Sequence, residues 1–386
     1  MVDNERLCVL CGGGLKRNGS TSAGATRYRC KSCGASSSER IQRVDVRRRH
    51  ELSRFLEWLL GNKTQSQVAQ GVDPRSFRRS THWCWNISPA IEVTGEIYPE
   101  VQLDGIYLGS WCCLIAIAGE HVIGYQWCDT EKRVAWEQLL TRFPAPDLVV
   151  IDGGSGLASA LKHCWPQTPV QRCLVHIQRN VRVLITMRPR TTAGRELRAI
   201  SLALTRITSQ DQARAWLLAL NQWHGKHHQM LNEKTYRSHH RGSLPQSVRP
   251  HQHWWFTHDR LRKAYKLLER ASQQEVLFTY LKDEHRSRNA SSTTNRIEGS
   301  INAQLRNLLR NHRGLTPEHA KRGVEWFLYK HSQNPAPAHQ LIRKEHYEPA
   351  AYTQEIEEHI TPAELGTGLD ENEGLWHRKG WAGRAS

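Results

Sequence analysis

Three carboxylates lie in segments whose patterns predict regular secondary structure, and they are the side chains best suited to chemistry. Asp104 lies within a β-rich run and is followed by Gly105, while Asp152 ends the apolar run 148–151. Glu298 lies near the start of a strong helical pattern. A carboxylate in a strand otherwise built for burial is costly unless it is paired or binds a cation. Carboxylates on a strand, at a strand end and on a helix are the set that two-metal phosphoryl transfer requires.

These three oxygen ligands favour magnesium or manganese, as two ions about 4 Å apart. Each carboxylate also has a simpler interpretation. Either aspartate could be a loop or capping residue, and Asn295-x-x-Glu298 resembles a capping box at a helix start. Glu298, however, adjoins Ile297 and shares a helix face with Leu305 and Leu309, which predicts that it points toward the side packed on the sheet.

Two cysteine pairs near the N-terminus have the spacing of a zinc site. Cys8-x2-Cys11 and Cys30-x2-Cys33 are separated by 18 residues, and four thiolates in this arrangement suit one tetrahedral, structural zinc ion. A redox motif is the alternative, and the presence of two pairs disfavours it. The other six of the ten cysteines are scattered, so nothing suggests a secreted disulfide framework, and we expect a reducing cytoplasm.

The charge of the chain predicts a polyanionic partner. The net charge is +17 and the pI is about 9.7, and residues 1–90 hold 16 Lys/Arg against 7 Asp/Glu. Nucleic acid is the usual partner of such a chain, although a merely soluble basic surface remains the alternative. The basic side chains near the cysteines that we expect to contact DNA are Lys16, Arg17, Arg27 and Arg29.

A helix-turn-helix is predicted after the cysteine-rich region. Residues 64–70 can form a short helix before a turn at Gly71, and Asp73-Pro74 is a favourable start for a second helix. The candidates for DNA contacts on that second helix are Arg75, Arg78 and Arg79. An ordinary helical hairpin is the alternative interpretation.

The remaining pattern predicts an α/β catalytic region. Residues 101–108, 111–118 and 121–127 read as strands, a helix follows over about 131–142, and 148–151 reads as a buried strand. Residues from about 177 to 287 look helical, with a polar, His-rich interruption at about 226–253. Residues 345–374 hold nine Asp/Glu and no Lys/Arg. The N-terminus lacks the apolar segment of a signal peptide, and the longest apolar run is too short to cross a membrane.

These motifs resemble those of bacterial insertion-sequence transposases of the Mutator superfamily with an N-terminal zinc ribbon. The resemblance extends to about residue 332, and its carriers are QLDG around Asp104, VVIDGGSGL around Asp152, CLVH from Cys173 to His176, and TTNRIEGSINAQLR around Glu298. Within the last string, TTN-x-IE is the most specific part. Taken alone, Cys173-x2-His176 could be half of a zinc site, or a buried cysteine and a supporting histidine, or could place His176 near the scissile phosphate.

The resemblance implies a ribonuclease H-like catalytic domain with a DDE triad and a helical insertion before the glutamate. The expected organisation is a zinc ribbon at 1–43, a helix-turn-helix region at 44–90, a catalytic domain at 98–332 with its insertion at about 177–290, and an acidic, loosely folded tail at 333–386. His176 is expected at the catalytic site, and Arg296, beside the glutamate, among the DNA contacts.

The implied activity is that of a DNA transposase. It would bind the terminal repeats of its element, free 3′ hydroxyls by hydrolysis and join them to target DNA, as a homo-oligomer assembled on nucleoid DNA in the cytoplasm. Two alternatives remain open at this point. One is a DNA-binding protein that has lost catalysis, and the other is a metal-dependent nuclease that does not join strands.

Overall fold

The computed structural model of the 386-residue chain describes Cys8, Cys11 and residues 13–22, 24–38, 44–69, 71 and 73–347. These residues form two compact units. The N-terminal unit combines the described residues up to 92 with residues 303–347, and the sheet unit comprises residues 93–302. Most of the predicted acidic tail, from residue 348 onward, lies outside the described residues.

The described residues form ten strands and twelve α-helices. The strands are β1 Leu15–Ser20, β2 Thr26–Cys30, β3 Ser36–Ser38, β4 Val101–Leu108, β5 Trp111–Ala118, β6 His121–Cys128, β7 Val149–Ile151, β8 Val170–Arg172, β9 Lys234–Tyr236 and β10 Trp254–Phe256. The helices are α1 Val44–Leu60, α2 Gln65–Ala69, α3 Pro74–Thr81, α4 Arg133–Leu140, α5 Ser155–Cys164, α6 Leu174–Ile185, α7 Thr192–Ala203, α8 Gln210–Asn232, α9 Asp259–Gln273, α10 Asp283–Arg286, α11 Ala303–Asn311 and α12 Pro317–Lys330. A π-helical segment, Arg296–Asn302, leads into α11.

A five-stranded mixed sheet in the order β6-β5-β4-β7-β8 is the centre of the sheet unit. β4, β5 and β6 are antiparallel, whereas β7 and β8 run parallel to β4. The mixed α/β class and the positions of the first three strands agree with the sequence prediction. Apolar residues of β4 and β5 pack with α4 and α5. Trp136 of α4 is almost completely buried in this core.

The helices α6 to α9 have a core of their own, distinct from the core beneath α4 and α5. Leu197, Trp216, Trp223 and Leu268 lie in this core. The indole nitrogens of Trp216 and Trp223 donate hydrogen bonds to the backbone oxygens of Ile200 and Ala193, which ties α8 to α7. These helices occupy the predicted insertion, although α8 continues to Asn232, beyond the expected start of the polar interruption.

The N-terminal unit is built from two distant parts of the chain. Leu52, Phe55 and Leu59 of α1 share one hydrophobic cluster with Trp326 and Tyr329 of α12. Residues of the segment 338–347 pack against the same cluster. The predicted catalytic region extends to residue 332, whereas α11 and α12 belong to the N-terminal unit rather than to the sheet unit.

Candidate active site

Two predicted carboxylates lie at neighbouring positions of the sheet, Asp104 within β4 and Asp152 directly after β7. Leu103 of β4 and Ile151 of β7 are partners in the parallel register, so Asp104 and Asp152 follow them at equivalent positions. Asp104 is buried, and its Oδ2 accepts a hydrogen bond of 2.8 Å from Nδ2 of Asn302. Asp152 is partly buried, and its Oδ1 accepts a 2.8 Å bond from the backbone nitrogen of Gly154. Both carboxylates are therefore oriented by groups of the same unit.

The turn after β7 brings an arginine against the backbone of the second aspartate. Gly153 has a φ of +90°, and a Cβ at this position would lie 1.7 Å from Cζ of Arg172. Nη2 of Arg172 donates a 2.9 Å hydrogen bond to the backbone oxygen of Asp152. The glycine thus allows both the left-handed backbone and the close approach of a guanidinium that fixes the Asp152 backbone.

Glu298 lies on the π-helical segment and contacts two basic side chains. Its Oε1 accepts a 2.8 Å hydrogen bond from the hydroxyl of Thr294, which differs from the capping contact with Asn295 considered from the sequence. His176 Nδ1 lies 3.4 Å from Oε1, and Arg179 Nη2 lies 3.1 Å from Oε2. The carboxylate of Glu298 is therefore held between a hydroxyl and two nitrogen-bearing groups.

Cys173 and His176 lie at the start of α6, beside Glu298. The backbone nitrogen of Thr294 donates to Sγ of the buried Cys173 at 3.3 Å. Ligand atoms of Cys173, His176 and Glu298 all lie within 4.8 Å of one another, a spacing at which three such side chains could also hold an ion. The C-x2-H motif is thus part of the same site as the carboxylates, and no fourth side chain joins this group among the described residues.

The electrostatics of the site are those of crowded carboxylates beside a protonated histidine. Burial, followed by the charge of Asp152, raises the pKa of Asp104 to about 8. Burial disfavours a charged His176, but the hydrogen bond with Cys173 and the charges of Cys173, Glu298 and Asp152 outweigh it and raise its pKa to about 9. The site therefore favours an added positive charge near Asp104.

One carboxylate of this region escaped the sequence analysis. Glu131, which the sequence predicts only as the start of a helix, lies two residues before α4. A Cβ added to Gly105 would lie 2.6 Å from Cδ of Glu131, so this carboxyl group lies against the backbone beside Asp104. Burial, then the charges of Asp152 and Asp104, raises the pKa of Glu131 to about 8. No local sequence pattern could have indicated this contact, because it depends on how α4 packs.

The four N-terminal cysteines come together at the end of a small three-stranded sheet, β1-β2-β3. Their sulfur atoms lie within 4.8 Å of one another, with Cys8 and Cys33 3.6 Å apart and Cys11 and Cys30 3.4 Å apart. The backbone nitrogens of Ser32 and Cys33 both lie 3.4 Å from Sγ of Cys30 and donate to it. This cluster could hold a metal ion.

The predicted DNA-contacting side chains are exposed. Asp73 caps α3, since its Oδ1 accepts from the backbone nitrogens of Arg75 and Ser76 at 2.9 and 3.1 Å. Arg78 Nη1 donates to Oε1 of Gln65 in α2 at 3.0 Å, which links the two short helices. The exposed basic residues of this prediction are Lys16, Arg17, Arg27, Arg29, Arg75, Arg78, Arg79 and, in the sheet unit, Arg296.

Carboxylates gathered on and directly after neighbouring strands, with no ion pair to either aspartate among the described residues, are typical of enzymes that bind divalent metal ions. Residues 95–236 match the sequence model of a family described as "Transposase, Mutator family". These residues include Asp104, Asp152, Cys173 and His176, and the predicted resemblance to Mutator transposases is confirmed over this region.

A curated relative agrees with this family. The chain is similar to the transposase for insertion sequence element IS905 of Lactococcus lactis subsp. lactis (strain IL1403), with 32% identity over 101 residues. The match covers 22% of this chain and 26% of the relative, so the chain spans about a quarter of the length of the relative it matches. Within the described residues, no helix is long and apolar enough to cross a membrane.

Proposed function

We propose that this chain is a DNA transposase of the DDE type, with a ribonuclease H-like catalytic unit built on the five-stranded sheet. The observation that carries the proposal is the adjacency of Asp104, within β4, and Asp152, directly after the parallel strand β7, among the residues that match the Mutator family. The strand order supports it, because three antiparallel strands are followed by two that are parallel to the first. Glu298 completes the triad.

The side chains present fit divalent magnesium or manganese. Asp104 is buried beside Asp152 and, among the described residues, no basic nitrogen lies within 4.0 Å of either carboxylate, whereas Glu298 has two such neighbours. Oxygen donors of this kind suit hard cations. When bound, two such ions would activate the attacking oxygen and stabilise the leaving oxygen of an in-line displacement.

The residues of the chain have separate tasks in this proposal. Asn302 and the backbone of Gly154 orient Asp104 and Asp152 as ligands. His176, protonated because its pKa is about 9, lies beside Glu298 and is suited to hold a negatively charged phosphate oxygen. Hydrolysis would free a 3′ hydroxyl, and the same site would direct that hydroxyl at target DNA without a covalent enzyme–DNA link.

The N-terminal unit would recognise the ends of the element. The cysteine cluster would bind one structural zinc ion, which would supply folding energy to a sheet too small for a core of its own. Exposed Arg75 and Arg79 at α3, read as the second helix of a helix-turn-helix, would contact the terminal repeat. We expect the chain to act on nucleoid DNA in the cytoplasm, as a homo-oligomer assembled on two DNA ends.

The decisive experiment is cleavage and joining on the DNA ends that flank the gene, with magnesium present. Asp104→Asn, Asp152→Asn and Glu298→Gln should each reduce cleavage by orders of magnitude and spare end binding, because each removes a ligand charge at nearly constant shape. Asp211→Asn is the matched control, since Asp211 is exposed and, among the described residues, its ion pair is with Arg214 across one helical turn.

Each outcome separates the proposal from its rivals. Cleavage without joining would favour a metal-dependent nuclease, and specific binding without cleavage would favour a DNA-binding protein that has lost catalysis. Normal cleavage by Glu298→Gln would show that Glu298 serves only the local contacts with Thr294, His176 and Arg179.

A further inference from the structure

We infer that Glu131 is a fourth carboxylate of the catalytic metal site and contributes directly to the affinity of that site for divalent cations. The inference rests on the proposed function, because it concerns the metal that Asp104 and Asp152 would bind. It assigns a role to a residue outside the DDE pattern. It also explains why the residue after Asp104 is a glycine.

The first observation is the contact between Glu131 and the strand that carries Asp104. A Cβ on Gly105 would lie 2.6 Å from Cδ and 2.7 Å from Oε1 of Glu131. Real Cβ atoms are not found so close to other heavy atoms, so any side chain at position 105 would displace the carboxyl group. The missing side chain of Gly105 therefore creates the space that Glu131 fills.

The second observation places Glu131 near the other aspartate as well. The position that a Cβ of Gly154 would take lies 3.6 Å from Oδ1 of Asp152 and 3.9 Å from Oε2 of Glu131. The two oxygens therefore lie close to a single point. Gly105 directly follows Asp104 and Gly154 lies two residues after Asp152, so Glu131 reaches both flanks of the pair.

The third observation is that, in the described part of the chain, Glu131 has no direct ion pair, although the charge of His176 partly offsets the rise in its pKa that burial causes. Among the described residues, no basic nitrogen forms an ion pair with Glu131, whereas Glu137 of α4 pairs with Arg133 at 3.4 Å and with His163 at 2.9 Å. Lys132, the next residue, is buried and pairs with Asp129 at 2.9 Å instead. Three neighbouring carboxylates that the charge of His176 compensates only in part destabilise the folded unit, and a bound divalent ion would offset this cost.

A structural role for Glu131 makes different predictions. Its backbone oxygen would lie only 2.3 Å from a Cβ at Gly156, so the residue also shapes the contact between α4 and α5. If this packing were its only task, removing the side-chain charge would leave metal binding unchanged. Stability of the metal-free protein and affinity for the metal alone therefore distinguish the two roles.

The experiment uses the full chain and manganese as the probe. Glu131→Gln should raise the melting temperature of the metal-free protein, because it removes repulsion, and should weaken Mn²⁺ binding in calorimetry by roughly tenfold or more. Glu131→Asp, which keeps the charge on a shorter side chain, should give an intermediate affinity. Glu137→Gln is the matched control, and it should lower stability slightly and leave Mn²⁺ affinity unchanged.

Two results would overturn the inference, and they differ in what else they affect. If Glu131→Gln and Glu131→Asp bind Mn²⁺ within twofold of the wild type while Asp104→Asn binds it poorly, Glu131 is structural and the proposed function stands. If the wild type itself binds no Mn²⁺, or Asp104→Asn leaves binding unchanged, the proposed metal site fails and the role of Glu131 fails with it.

Discussion

The glycine after Asp152 allows a quantitative test of how this aspartate is positioned. Gly153→Ala should be strained in two independent ways. A φ of +90° disfavours any side chain, which costs about 1–2 kcal/mol. The new Cβ would also lie 1.7, 2.0 and 2.1 Å from three atoms of the Arg172 guanidinium, so that group must move. Its hydrogen bond to the Asp152 backbone would be lost, at about 1.5–3 kcal/mol.

The two contributions separate in a double-mutant cycle. We expect Gly153→Ala to lower the free energy of unfolding by about 2.5–5 kcal/mol in the wild-type background. In an Arg172→Ala background the clash and the hydrogen bond are absent, so the same change should cost only about 1–2 kcal/mol. Calorimetric unfolding of the full chain measures both values.

Catalysis provides the second readout. A displacement of about 1 Å at a catalytic group can reduce a rate about 100-fold, so cleavage by Gly153→Ala should fall by a similar factor even where the protein stays folded. An equal cost of Gly153→Ala in the presence and absence of Arg172 would refute the argument from close approach, since only backbone strain would then remain.

Three further predictions concern the metal centres, pH and DNA. Cys30→Ser should abolish the binding of about one zinc per chain and weaken DNA binding, and a zinc-free wild type with intact DNA binding would contradict the zinc assignment. The pKa of about 8 for Asp104, above that of the unfolded chain, means that the metal-free protein loses stability as pH rises from about 4 to about 8. Melting of Asp104→Asn should show a smaller loss over this range. Arg75→Ala or Arg79→Ala in the full chain should weaken end binding. Removal of an arginine that contacts a guanine edge should cost about 1–3 kcal/mol of sequence discrimination. Removal of an arginine that contacts only phosphate should lower the salt slope by about one.

The strands that carry the aspartates could be predicted because their patterns are local. Asp104 lies within the β-rich run of β4 and Asp152 directly follows the apolar run of β7, and a carboxylate in either place is conspicuous from composition alone. The strand β8, Val170–Arg172, was not predicted, because three residues carry no periodicity and the polar Gln171 is buried by tertiary contacts. The side-chain amide nitrogen of Gln171 donates a hydrogen bond to the backbone oxygen of Leu277, a partner more than a hundred residues away in the chain.

The less predictable features depend on partners distant in the chain. Glu131 follows an ordinary loop, and only the packing of α4 brings it against Gly105. The periodicity of α12 predicts an apolar face, but not that this face packs with α1 rather than with the sheet. The π-helical geometry around Glu298 has no signal in a sequence that also fits a capping box.

The division of the N-terminal unit between the two ends of the described chain has a consequence for biosynthesis. Phe55 and Leu59 of α1 leave the ribosome early, but their partners Trp326 and Tyr329 follow only after all of residues 93–302 have been translated. Trp326 follows Leu59 by 267 residues, so at about 5–20 residues per second this interval lasts roughly 13 to 53 s. The apolar face of α1 must therefore be protected while the sheet unit folds. A message truncated before α12 yields a chain whose N-terminal unit can never be completed, whatever the state of its sheet.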